Sequence, residues 1–134
     1  MIGARSGGVQ RLPMRIALFL VVVSAPAFAQ EGIRQSDTIL DREQMSALLT
    51  GNEMEFYDGS KSRYGEDGSY GYTYTDDGPV WTGRFEVFDE SRVCVDFDNG
   101  SRRCDLFIQT GEKVVLVTTD GTRFPVRNLT VYQR

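Results

Sequence analysis

The sequence predicts an all-β fold with one short N-terminal helix: about eight antiparallel strands in an up-and-down meander, closed into a small barrel or curled into an open sheet. Three observations carry that expectation. Turn signals recur from Asp58-Gly59 through Asp67-Gly68, Asp77-Gly78, Asp89-Glu90, Asn99-Gly100 and Thr110-Gly111 to Asp120-Gly121, with starts 9 to 12 residues apart. Glycine after Asp or Asn supplies the positive φ of tight hairpins, and such spacing marks sequential antiparallel strands. Between the turns, apolar residues alternate with polar ones, as in Met54 and Phe56 or Val93, Val95 and Phe97. The two cysteines, Cys94 and Cys104, stand equally far from Asn99.

The chain opens with Arg5, Arg11 and Arg15, an apolar run from Ile16 to Val23, and Ala27-Phe28-Ala29. This pattern predicts a secretory signal peptide over residues 1–29, cleaved after Ala29. Its apolar run falls short of the roughly 20 residues that a spanning helix needs, so the mature protein is expected not to span a membrane. Met14 offers a second, more compact start with the same mature product. The expected location is periplasmic or secreted. Residues 30–38 read as a flexible lead, and 39–134 as a single β-meander domain of ordinary size. All 19 acidic residues follow the leader but only 12 of the 15 basic ones, which leaves a net charge of −7. That balance favours solubility and disfavours nucleic acid, whose phosphates require a basic face.

Leu40 to Gly51 reads as one helix with both ends marked. Asp41 and Gln44 have the spacing of a capping box, Leu40 can staple against Met45, and Gly51 supplies the stop. Met45, Leu48 and Leu49 form an apolar stripe that must dock on the rest of the domain, because a helix this short is marginal alone. Strands are expected over 53–57, 60–64, 69–75, 80–88, 92–97, 101–108, 113–118 and 122–127, with 129–132 as a ninth piece or a tail. Val114 to Val117 is apolar on both faces, which places that strand under the helix or in the middle of the sheet.

A three-residue loop of Asp98, Asn99 and Gly100 sets Cys94 directly opposite Cys104, the arrangement of a register-holding disulfide. The pair lacks the Cys-x-x-Cys spacing of thiol oxidoreductases, and the absence of histidine makes it a poor metal site. Asp96, Asp98 and Asn99 resemble the start of a calcium loop, but Phe107 stands where its bidentate acid belongs. No metal or cofactor is expected.

Without histidine, the commonest general base and every Ser-His or Cys-His nucleophile are missing. Glu53 and Glu55 share a strand face and read as solvated charges rather than a glycosidase pair. Arg102 and Arg103 read as exposed charges opposite Asp96 or Glu86. The more suggestive residues are aromatic: Tyr70, Tyr72 and Tyr74 form a stripe on one strand face, with Trp81 on the next strand. Such rows can stack on sugars or line an apolar pocket.

The order Leu48-Leu49-Thr50-Gly51, Phe56-Tyr57-Asp58-Gly59, Gly65-Glu66-Asp67-Gly68, Trp81-Thr82-Gly83-Arg84-Phe85-Glu86-Val87 and Val93-Cys94-Val95-Asp96-Phe97, with Cys104 following, resembles small exported proteobacterial proteins of an uncharacterised β-domain family. The resemblance covers residues 48–127 and implies an exported β domain without assigning catalytic residues. The chain is also similar to lipocalin-like barrels in its meander. It resembles periplasmic inhibitors of secreted metalloproteases in mature length, single disulfide and eight-stranded barrel. The functional expectation is a non-enzymatic binding or envelope-associated module. Its partner classes are a cell-envelope glycan, a small apolar ligand or a secreted protein. The alternatives are a protease inhibitor acting through residues 30–38 and a lipocalin-like small-ligand carrier.

Overall fold

A computed structural model describes residues 3, 7–13, 17, 20–22 and 30–132. The expected cleavage site at Ala27-Phe28-Ala29 lies outside the described residues. One helix, α1 (Arg42–Leu49), precedes eight strands: β1 (Asn52–Phe56), β2 (Lys61–Tyr64), β3 (Ser69–Thr73), β4 (Val80–Val87), β5 (Arg92–Phe97), β6 (Arg102–Thr110), β7 (Lys113–Val117) and β8 (Arg123–Val131). Each strand pairs with its neighbours in sequence, and β8 pairs antiparallel with β1, so the sheet is a closed barrel. Closure decides between the two expected shapes and leaves no free sheet edge. The ninth piece belongs to β8, where Leu129, Thr130 and Val131 pair with Met54, Glu53 and Asn52.

The helix ends follow the sequence. Asp41 accepts from the Gln44 amide at 2.8 Å while Gln44 Oε1 accepts from the Asp41 amide at 3.0 Å, which completes the capping box. Met45 and Leu49 are fully buried in a core that also holds Leu40, Met54, Tyr64, Val93 and Phe107. Since α1 leads directly into β1 and these residues come from the middle of β1, the end of β2, the start of β5 and the later half of β6, α1 closes one end of the barrel.

The β4–β5 turn falls at the expected Asp89-Glu90 but contains no glycine. Rather than Asp-Gly chemistry, it holds Glu90 and Ser91 both at φ 61°. Ser91 is completely buried: its amide donates to the Leu40 carbonyl at 2.7 Å, its Oγ accepts from the Leu40 amide at 2.6 Å, and its carbonyl accepts from Phe107 at 2.8 Å. These bonds tie the helix entrance to the barrel and offset the left-handed backbone, which costs about 1–3 kcal/mol per residue.

Residues 30–38, expected as a flexible lead, lie against the outside of the barrel. Thr38 and Gln109 exchange backbone hydrogen bonds at 2.7 and 3.1 Å, and Arg123 clamps Asp37 at 2.7 and 3.0 Å. Ile33 covers a second apolar cluster of Leu106, Ile108, Val115 and Val117. This explains why Val114 to Val117 is apolar throughout: Val114 and Leu116 face the barrel core, while the lead, not the helix, covers Val115 and Val117.

Cys94 and Cys104 are directly opposed and bridged, with Cα atoms 4.1 Å apart. The Phe97 amide donates to Ser101 at 2.8 Å, and alternation from that hydrogen-bonded pair makes Cys94 and Cys104 a non-hydrogen-bonded pair, the closer of the two kinds. Gly100 takes φ 88° in the three-residue loop, as the spacing requires. The bridge closes a separation of only 10 residues within a hairpin already tied by its ladder. Replacing both cysteines with serine is therefore expected to cost less than about 3 kcal/mol in urea unfolding, with the far-ultraviolet circular dichroism of the barrel retained. Loss of the folded spectrum would contradict a hairpin already held by its own ladder.

Candidate functional site

The loops after β1, β3, β5 and β7 surround the barrel end opposite the helix. A cavity of about 250 Å³ opens there. Its buried members Phe56, Tyr64 and Leu116 form the floor, and the exposed Tyr74 and Phe124 stand at the mouth. Register explains the lining. Met54 pairs with Ser62, Ser62 with Tyr72, and Tyr64 with Tyr70, so alternate residues of β1 to β3 share the inner face.

The tyrosine stripe divides along its length. Tyr64 meets Tyr70, Phe85 and Phe107 edge to face at centroid distances of 5.2, 5.1 and 6.1 Å, a cluster that fixes the cavity floor. Tyr70 packs into this cluster and reaches Ser62 Oγ at 3.2 Å; burial pushes its hydroxyl up to about 12. Burial raises Tyr64 well above the ordinary phenol value, and Tyr72 less strongly. Tyr72 lines the wall, and Tyr74 stacks on it edge to face at 5.0 Å beyond the end of β3, with 64% of its surface exposed. Trp81 pairs with Tyr72 across the β3–β4 ladder but is 49% exposed and does not line the cavity. Tyr70 is thus mainly a core residue, Tyr72 and Tyr74 are wall and mouth, and Trp81 stands outside the lining.

Polar residues that the sequence did not assign to a site complete the wall. Ser60 donates to Asp58 through its amide at 2.9 Å and its hydroxyl at 2.6 Å, which holds the Asp58 carboxyl below its usual range. Arg103 is exposed as expected, but it stands opposite Val95 in the ladder rather than Asp96 or Glu86, and it lines the cavity. Its Nε donates to Asp105 Oδ2 at 2.6 Å, and Asp105 pairs with Val93 on the same inner face. Burial pushes the Asp105 carboxyl up, and the Arg103 charge pulls it back only in part. Arg102 does pair with Asp96, at 3.1 Å on the outer surface.

The remaining sequence candidates are accounted for by structural contacts. Glu53 bonds Arg63 at 2.6 Å and lies 3.8 Å from Lys61, while Glu55 accepts from Asn128 at 3.3 Å. Asp98 takes a hydrogen bond from Thr82, and Asn99 caps Ser101 at 2.9 Å. Among the described residues, no cluster of three metal-capable side chains occurs, and no helix is long and apolar enough to cross a membrane. A second groove of about 780 Å³ lies outside the barrel, where Ile33 and Ile39 meet Phe88, Arg92 and Leu106. It is larger than the cavity but shallower.

No family model matches the chain, and neither does a curated protein or a solved structure.

Proposed function

We propose that the protein is an exported, non-enzymatic binding module that takes a small ligand into the open end of its barrel. The observation that carries this reading is the asymmetry of the barrel. One end is filled by α1 and the Tyr64–Phe107 core, and the other holds a cavity combining an apolar floor with hydroxyls and one ion pair. Apolar surface with a few convergent polar groups is the usual composition of a ligand site. Its volume of about 250 Å³ exceeds the roughly 150 Å³ that suffices for benzene in an engineered core, and lies below the range of drug-sized sites. A single ring with a short substituent fits that size, which favours a small ligand over an extended glycan chain. Residues 30–38 are bonded to β6 and β8, so inhibition of a protease through that segment requires it first to leave the barrel.

Trp81, opposite Tyr72, reports on the mouth. Titration with a panel of single-ring compounds is expected to change its emission saturably, whereas short cell-wall glycans are expected to leave it unchanged. Constant emission with every single-ring compound, or saturable change with the glycans alone, would contradict the reading.

A further inference from the structure

We infer that the cavity selects a ligand with a carboxylate head, held by the free edge of the Arg103 guanidinium, over a neutral or cationic ligand of the same shape. This inference rests on the binding reading above and adds the ligand's chemical class. The charged groups around the open end are unequally committed. Asp58 accepts two bonds from Ser60, Asp98 accepts from Thr82, Asp120 accepts from Thr118 and from the Thr122 amide at 3.2 Å, and Asp76 pairs with Lys61 at 2.8 Å. These carboxylates belong to their own turns or to a neighbouring cation, so they act as structural acceptors.

Arg103 differs. Only its Nε is bonded, to Asp105, and its two terminal nitrogens have no hydrogen-bond partner among the described residues. A guanidinium presents five N–H donors in a rigid fork that matches a carboxylate bidentately. Asp105 engages one edge and thereby orients the group, while the Nη pair keeps donors for a second acceptor. Tyr70 and Tyr72 line the same cavity as this guanidinium, so the aromatic wall and the cation share one space. A ligand ring resting between Tyr72 and the apolar floor, with its carboxylate toward the mouth, meets Arg103 where charge-assisted bonds are stronger than in open water. The half-exposed position of Arg103 lets that head group keep part of its hydration.

Benzoate, benzamide and benzylamine share one ring and differ in the head, so calorimetric titration of the mature protein with the three separates shape from charge. Benzoate is expected to bind about tenfold or more tightly than either of the others, and Arg103→Gln to remove that preference. Arg103→Lys should retain part of it. Because Arg103→Gln leaves Asp105 without its partner, the double variant R103Q/D105N keeps the wall neutral; it too should bind benzoate and benzamide alike. Equal affinity for benzoate and benzamide in the native protein, or a benzoate preference that survives R103Q/D105N, would overturn the carboxylate inference while leaving ligand binding intact. Absence of binding by all three would overturn the inference together with the binding reading.

Discussion

Phe107→Ala is expected to lower the unfolding free energy by about 3–5 kcal/mol, a large fraction of the total stability of a domain of this size. Phe107 has no exposed surface, sits opposite Leu116 in the β6–β7 ladder, and meets Tyr64 at 6.1 Å. Its amide also receives the register of the helix entrance, since it donates to the Ser91 carbonyl at 2.8 Å. Truncation therefore opens a void between the helix-capped end and the cavity floor, in closely packed surroundings that relax only partly. Tyr74→Ala provides the contrast. That side chain is mostly exposed at the mouth, and its removal should change stability by less than about 1 kcal/mol. Urea unfolding of the two variants, followed by circular dichroism, checks both values; similar losses would contradict the placement of the core at the helix end.

The second large effect concerns the lead. Asp37→Ala is expected to release residues 30–38 from the barrel and to cost up to about 3 kcal/mol, the lower end of what breaking a buried ion pair costs. The Asp37 side chain is fully buried and accepts two bonds from Arg123 and one from the Arg34 amide at 2.6 Å. Undocking lets the orphaned Arg123 rehydrate, which caps the loss. It also exposes Leu106, Ile108, Val115 and Val117. Hydrogen exchange at the Thr38 and Gln109 amides should accelerate while the Phe107 amide stays protected. Uniform acceleration would show that the lead and barrel unfold together.

The same pair predicts a pH dependence. Hydrogen bonding from Arg123 holds the Asp37 carboxyl below its ordinary value of 3.8. A folded value below the unfolded one means that the stabilisation is complete above that ordinary value and is lost as pH falls through the depressed one. The lead should therefore detach in acid below about pH 3.8 in the native protein, with no such step in Asp37→Ala. Asp105 works in the opposite sense. Its raised value means that its ionisation opposes folding as pH rises through that value, which softens rather than deepens the acid transition.

Much of the fold could be read from local chemistry. The capping box at Asp41 and Gln44, the Gly100 turn and the opposed cysteines each involve residues close in sequence, so their spacing is sufficient to place them. Barrel closure was not legible, because the β1–β8 pairing joins residues 70 or more positions apart with no turn to mark it. Nor was the docking of the lead, which depends on Asp37 meeting Arg123 across the whole domain. The site lies between these cases. Tyr70, Tyr72 and Tyr74 stood out by number, yet number does not separate core from wall, and Tyr70 went to the core. Arg103 and Asp105 were hidden by their charge, although the cysteine register already contained the answer. If Cys94 opposes Cys104 and both face outward, Val93 and Val95 face inward, and so do their partners Asp105 and Arg103. A charged pair on the inner face of a small barrel departs from the alternation that fills the rest of that face, and it marks the cavity.

Chemical-shift mapping of the isotopically labelled protein during a benzoate titration tests the central claim most directly. The account predicts saturable shifts confined to the open end, at the amides of Ser60, Ser62, Tyr72, Val95 and Arg103, with those of Ile39, Phe88 and Arg92 at the outer groove unchanged. Shifts confined to the outer groove, or none at all, would contradict it.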